Sequence, residues 1–166
     1  MYQYPLNPLQ FIDPLGYSSL IIHNGPVPDN PFGHGALAID NVGVISFGTG
    51  DEKGISLRNY LKKMQPRRDS VIWIVNTTPE EEACMKEEAN KIRESKQGLG
   101  IAYNNCFSRT NAIFAKCGMT NPHLNTNTPI SLQVLGEFYG SERIFIQKGE
   151  FQGLPERFIN FRDLNE

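Results

Sequence analysis

The chain has 166 residues, 39% of them hydrophobic and 20% charged, with a formal net charge of -2. That length buries roughly 70% of its unfolded surface around one core, so one globular domain is expected. The slightly acidic balance leaves no electrostatic footprint for nucleic acid, and the basic pairs Lys62-Lys63 and Arg67-Arg68 read as a solvated helix end. No apolar run reaches the ~20 residues of a membrane span, and no basic-then-apolar leader with a cleavage site opens the chain.

The first segment, "MYQYPLNPLQFIDPLGYSS", is rich in Pro, Asn and aromatics without helical or strand periodicity, and reads as a detachable extended tail. Its "YPLNPLQFIDPLGY" resembles the closing segment of the RHS repeat-associated core, where an Asn-Pro is followed by an Asp-Pro-x-Gly; Tyr17 stands where leucine is usual. In that family the core ends there and a variable C-terminal toxin begins. The resemblance divides the chain into a core remnant, residues 1–17, and a toxin cargo, residues 18–166. It also implies an RHS shell in the full-length precursor and a cognate immunity protein as partner.

Beyond the tail, "SSLIIHNG" reads as a strand and "GPVPDNPFG" as a loop. "HGALAID" and "GVISFG" form a hairpin around the turn residues Asp40, Asn41 and Gly43. "ISLRNYLKKMQ" is a helix capped by Ser56, and "SVIWIVNTT" an apolar, β-branched strand of the sheet interior. "FGTGDEKG" lacks the spacing of a phosphate-binding loop. Thr78, Pro79 and Glu81 make a capping box that opens a charged helix running to about Lys96, whose Glu/Lys run reads as a solvated face. A helix from Cys106 to Cys117-Gly118 follows, with Asn105 as N-cap. Another starts at Thr128-Pro129 with Leu132, Leu135 and Phe138 directed inward, and "RIFIQKG" is a last strand. Strands in antiparallel-capable clusters with helices between them predict an α+β domain.

Three cysteines are an odd number without a CxxC pair, which argues against a disulfide framework or a zinc site. Cys106 and Cys117, on one helix, lie about 16 Å apart, beyond the ~7 Å limit for a bridge, so free thiols are expected. No metal or other cofactor is implied.

The first turn of a helix favours thiolate, because its unpaired N–H groups and dipole stabilise negative charge, and Cys106 occupies that position. A nucleophilic thiol also needs an imidazole to take its proton. His123 lies in a polar loop, and His23 ends the first strand, where a hydrogen-bonded structural role fits. His34 opens the second strand and shares a face with Ala36 and Ala38, opposite Leu37 and Ile39. The two alanines leave room for a helix carrying a cysteine to approach. One Cys and one His, by spacing alone, leave catalytic and structural roles open.

"FGHGALAIDNVGVISFG", followed some sixty residues later by "YNNCFSRTNAIFAKCG", resembles the circularly permuted NlpC-type branch of the papain-like superfamily, which includes lecithin:retinol acyltransferase-like enzymes. The resemblance implies a papain-like antiparallel sheet packed against helices, with the nucleophile at a helix N-terminus. It places His34 on the base and Cys106 on the nucleophile. The third member that orients the imidazole falls on Ser46. A three-residue hairpin loop brings Ser46 to the face of His34, whereas a two- or four-residue loop brings Thr49 there. The oxyanion is expected to be held by the Cys106 N–H with Tyr103 or Asn105. Arg109 has a salt-bridge, surface or substrate-binding role open to it.

The function so implied is an antibacterial effector toxin, a cysteine-dependent hydrolase that cleaves amide bonds in peptidoglycan after delivery to the periplasm or envelope of a target cell. An alternative is a phospholipase or acyltransferase acting on membrane lipid esters. A nuclease toxin or a non-catalytic binding module is the reading of another class, and the latter requires Cys106 fully buried with no imidazole nearby.

Overall fold

Seven residues of near-continuous apolar character, Ser18–Asn24, form strand β1, and the all-buried His34–Ile39 forms β2 beside it. Burial at nearly every position means that both faces of this pair are covered. The computed structural model describes residues 17–95, 97–100, 105–119, 128–153, 158 and 161; the tail before Tyr17 lies outside them. Asp40, Asn41 and Val42 close the hairpin to β3 (Gly43–Ser46), with Asn41 at φ 56° and Gly43 at φ 87°, both in the left-handed region. Asp51–Ile55 continues as β4, a strand that the glycine-rich sequence of this stretch did not suggest.

Helix α1 (Leu57–Met64) starts where the Ser56 side chain accepts the Asn59 N–H, and leads to β5 (Ser70–Asn76). The Thr78–Glu81 capping box, with Pro79 in the first turn, opens α2 (Pro79–Glu94). Then come α3 (Cys106–Lys116), α4 (Pro129–Tyr139) and β6 (Gly140–Ile146). The six strands make one antiparallel sheet in the order β4-β3-β2-β1-β5-β6. With four helices around it, the domain is α+β. β5 is an interior strand, though β2 and β1 hold the middle.

The helices divide between the faces by strand parity. Ile21, Leu37, Ile39 and Trp73 pack with Met85 of α2, Phe107, Ile113 and Phe114 of α3, and Leu132 and Leu135 of α4. On the other face Leu20, Ile22, Ala36, Ala38 and Ile72 pack with Leu57, Tyr60 and Leu61 of α1, and with Phe158 and Phe161. α4 turns Ser131, Leu132, Leu135 and Gly136 inward, which rotates Phe138 to the outside, 65% exposed rather than inward as its spacing suggested.

Cys84 and Cys117 are joined in a disulfide, Cα to Cα 5.7 Å, and are not the free thiols expected. The within-helix distance from Cys106 says nothing about Cys84. That residue meets Cys117 because α2 and α3 lie side by side, Met85 and Ala89 of one in the same cluster as Ile113 and Phe114 of the other. Closing a loop over a separation of 33 residues restricts the unfolded chain by about 3 to 4 kcal/mol in the chain-entropy account.

Candidate active site

The N-terminus of α3 is built by Asn105, whose extended backbone lets its side-chain oxygen accept the Ser108 N–H at 2.9 Å. Cys106 is thereby the first helical residue, half-buried, and the free cysteine of the three. Its sulfur accepts backbone N–H groups of Gly35 and Phe107 as well as its own, and these favour thiolate. Burial outweighs them and pushes the thiol up from its ordinary value, contrary to the lowering expected from the helix start alone. In the resting protein Cys106 is a neutral thiol.

His34 is 6% exposed, and its Nε2 lies 2.7 Å from Ser46 Oγ. The three-residue hairpin loop puts Ser46 on the face of His34. Ser46 is not a lone orienting group. Thr49 Oγ1 lies 2.8 Å from Ser46 Oγ and 2.9 Å from Asp51 Oδ2, and Lys63 Nζ donates to the same carboxylate oxygen at 2.8 Å. From the other side Gln65 donates to Ser70, Ser70 to Asn24 Oδ1 at 2.7 Å, and Asn24 Nδ2 to the Tyr60 hydroxyl at 2.7 Å.

Proton counting favours one direction for this network. A hydroxyl carries one proton and accepts twice, and a carboxylate only accepts. Thr49 has one proton for three acceptors, Asp51 Oδ2, Ser46 Oγ and the Ser46 carbonyl oxygen; the carboxylate, which can only accept, is the strongest claimant, and with Thr49 turned to it the Ser46 proton turns to Thr49. With its own proton on Thr49, Ser46 accepts from His34, which donates through Nε2–H. That tautomer leaves Nδ1 with its lone pair, and among the described residues Nδ1 has no hydrogen-bond partner. Burial, with the positive charge of Arg68 adding to it, pushes the His34 imidazole down to about 4, so the ring is neutral at pH 7.

The approach of α3 differs from the sequence expectation. The face that His34 shares with Ala36 and Ala38 receives α1 and its Tyr60, while α3 lies on the opposite face. What admits it is Gly35, where a Cβ would sit 2.7 Å from Phe107 and 2.8 Å from Leu132. Cys106 lies beside Gly35, the residue next to His34, instead of across one face from the imidazole. The β2–β3 ladder begins at Leu37–Ile45, leaving the start of β2 beyond the ladder, and there the Gly35 N–H donates to the Cys106 sulfur. The thiol thus lies next to the peptide that joins His34 to Gly35. Among the described residues no hydrogen bond joins the sulfur to His34 itself; such contacts commonly tighten only when substrate is bound.

Arg109 is buried rather than at the surface. Its guanidinium donates to the carbonyl oxygens of Gln97 and Gly98 and lies over the Phe47 ring at 5.4 Å, pinning the loop before α3. The Asn105 side-chain oxygen is committed to the cap. Tyr103 and His123 fall outside the described residues. His23, buried on the α3 face, has its Nδ1 3.1 Å from Gln133 Nε2 and its ring 5.8 Å from that of Phe107. Sequence reading missed the parts played by Asn24, Tyr60 and Ser70, since nothing in the order of the chain shows that α1 covers the His34 face.

Among the described residues no cluster of three or more His, Cys, Asp or Glu is placed to hold a metal ion. No helix among them is long and apolar enough to cross a membrane. No family model, curated protein or solved structure matches this chain.

Proposed function

We propose that the protein is a cysteine-dependent hydrolase of papain-like, permuted NlpC-type arrangement, acting as the toxin cargo of an RHS-type precursor. The observation that carries the reading is the ordered chain Asp51–Thr49–Ser46–His34, which leaves Nδ1 of His34 unprotonated at the sheet end where Gly35 holds the Cys106 thiol. The half-buried thiol also differs from the full burial that a non-catalytic module requires.

The chemistry follows from two neutral partners. Cys106 Sγ attacks the acyl carbonyl carbon as its proton passes to His34 Nδ1, and the C=O electron pair moves onto oxygen, where the helix-start N–H groups can stabilise it. The imidazolium keeps its Nε2–H on Ser46, with the negative charge of Asp51 two hydroxyls away. Collapse of the tetrahedral species breaks the bond to the leaving amine, which takes the proton back from His34. Water then attacks the thioester by the same route in reverse and releases the acid and the thiol.

An amide of peptidoglycan is the substrate we favour. The cleft beside His34 is polar in character, with Asn30, Thr49, Lys63 and Arg67 in its wall. The Cys84–Cys117 disulfide supports action in an oxidising compartment such as the periplasm. A lipid ester is the second reading, and its observation is Phe32, 60% exposed in the loop before His34; Val27 in the same loop is buried. The test is incubation with isolated sacculi and, separately, with phospholipid vesicles, using the Cys106→Ala protein as blank. New muropeptides support the amide reading, and released fatty acid overturns it in favour of the lipid one.

A further inference from the structure

The Arg67-Arg68 pair, which reads in the sequence as a solvated helix end, divides sharply in the fold. Arg67 reaches outward to Asp29 at 2.8 Å, with both side chains more than half exposed. Arg68 is only 8% exposed, and its Nε and Nη1 are buried without a hydrogen-bond partner among the described residues. A buried donor left unpaired costs about 1 to 3 kcal/mol, and more when charged. Here the unpaired groups belong to a guanidinium, whose donors cannot be removed by deprotonation.

The surroundings say what would pair them. Arg68 and His34 both line a cleft of about 320 Å³. The other charges there are already matched: Lys63 is bonded to Asp51 and Arg67 to Asp29. Arg68 is the cation of this wall with no hydrogen-bonded anion. Its charge acts on the reactive pair, favouring the thiolate of Cys106 and disfavouring the protonated form of His34, so it lies within electrostatic range of both. An orphaned set made only of donors calls for a ligand that brings only acceptors.

We infer that Arg68 and this cleft form a subsite for a carboxylate of the substrate, held beside the scissile carbonyl. The inference rests on the proposed hydrolase reading for its adjacency to chemistry, but the binding event is independent of turnover. A carboxylate matches the single unpaired cation, and its two oxygens match the guanidinium fork. The mixed polar wall and modest volume suit a peptide residue better than paired acyl chains. Peptide substrates that carry a free carboxylate near the cleaved amide are therefore preferred over their amidated or esterified forms.

The experiment uses the full-length Cys106→Ala protein, so that binding is read without turnover. Glutarate, dimethyl glutarate and methyl phosphate are titrated separately while the side-chain Nε–H signal of Arg68 is followed by NMR. Glutarate is expected to move that signal at millimolar concentration and dimethyl glutarate to leave it in place. Adding Arg68→Lys, which keeps the charge but removes the fork, should weaken glutarate by roughly tenfold or more. An unmoved Arg68 signal, equal binding of the diester, or undiminished affinity in the lysine variant would each overturn the subsite. Tighter binding of methyl phosphate than of glutarate would overturn the carboxylate assignment. If Arg68→Lys does not fold, the signal in the parent protein decides alone. No hydrolysis of sacculi by the wild-type protein, with glutarate still binding the alanine protein, would reject the proposed reaction and leave the subsite standing.

Discussion

Replacing Thr49 by valine keeps the shape of the side chain and removes the hydroxyl that joins Ser46 to Asp51. The lost hydrogen bond ends on a carboxylate, and such bonds contribute roughly 1.5 to 3 kcal/mol. Thr49 is half-buried, so the lower part of that range applies, about 1 to 2 kcal/mol, or a fall of about 2 to 8 °C in Tm for a domain of this size. The consequence for chemistry is separate. Freed from Thr49, the Ser46 proton can turn toward His34 Nε2 at 2.7 Å, and the ring then carries its own proton on Nδ1, where the thiol proton must go. A change of about 1 to 2 kcal/mol shifts the two tautomers by a factor of roughly 5 to 30, and kcat should fall about tenfold. The assay is nitrogen NMR of the imidazole, which distinguishes the tautomers by their couplings to ring carbon-bound protons. The wild type should show Nε2–H and the valine variant a growing share of Nδ1–H. A wild-type ring protonated on Nδ1, or a variant with an unchanged tautomer, would refute the proton counting.

Three further outcomes are expected. Because His34 is neutral and pushed down to about 4 from an ordinary value near 6.5, the unfolded chain binds its proton first. Stability should therefore be full above pH 6.5 and decline as pH falls toward 4, by about 3 kcal/mol in total from this group; denaturant titrations should show His34→Gln flattening that slope. Reduction of the Cys84–Cys117 bridge, or Cys117→Ala, should lower Tm by about 10 °C, from the chain-entropy value and the size of the domain; an unchanged Tm would show that the bridge does not restrict the unfolded chain. Iodoacetamide applied without reductant should label Cys106 alone, at a rate that climbs through the alkaline range because burial raises the thiol. Fast labelling of a thiolate at pH 6 would contradict that direction.

The parts of the fold that were legible in the sequence are those set by neighbours along the chain. Thr78 and Glu81 cap α2, Asn105 caps α3, and Asp40 to Gly43 turn the hairpin in the three-residue form that aligns Ser46 with His34. Strand parity likewise separated Ala36 and Ala38 from Leu37 and Ile39. Which helix covers which face is a long-range matter, and it was not legible. The alanines make room for Tyr60 of α1, and a glycine, Gly35, admits α3. The same blindness hid the disulfide, whose halves come from two helices, and the burial of Arg68, which an Arg-Arg pair at a helix end does not announce. Ser46, a weak orienting group by itself, gains a carboxylate one hydroxyl away, through Thr49, because β4 folds back to bring Asp51 alongside.

The account turns on Cys106 as the nucleophile. The most direct measurement is growth of bacteria that export the protein to the periplasm, comparing wild type with Cys106→Ala purified in parallel for its melting transition. Cys106 is half-buried at the edge of the core, so the alanine protein should melt within a few degrees of the wild type. The account predicts lysis or growth arrest with the wild type and normal growth with the equally stable alanine protein. Undiminished toxicity of Cys106→Ala would contradict it.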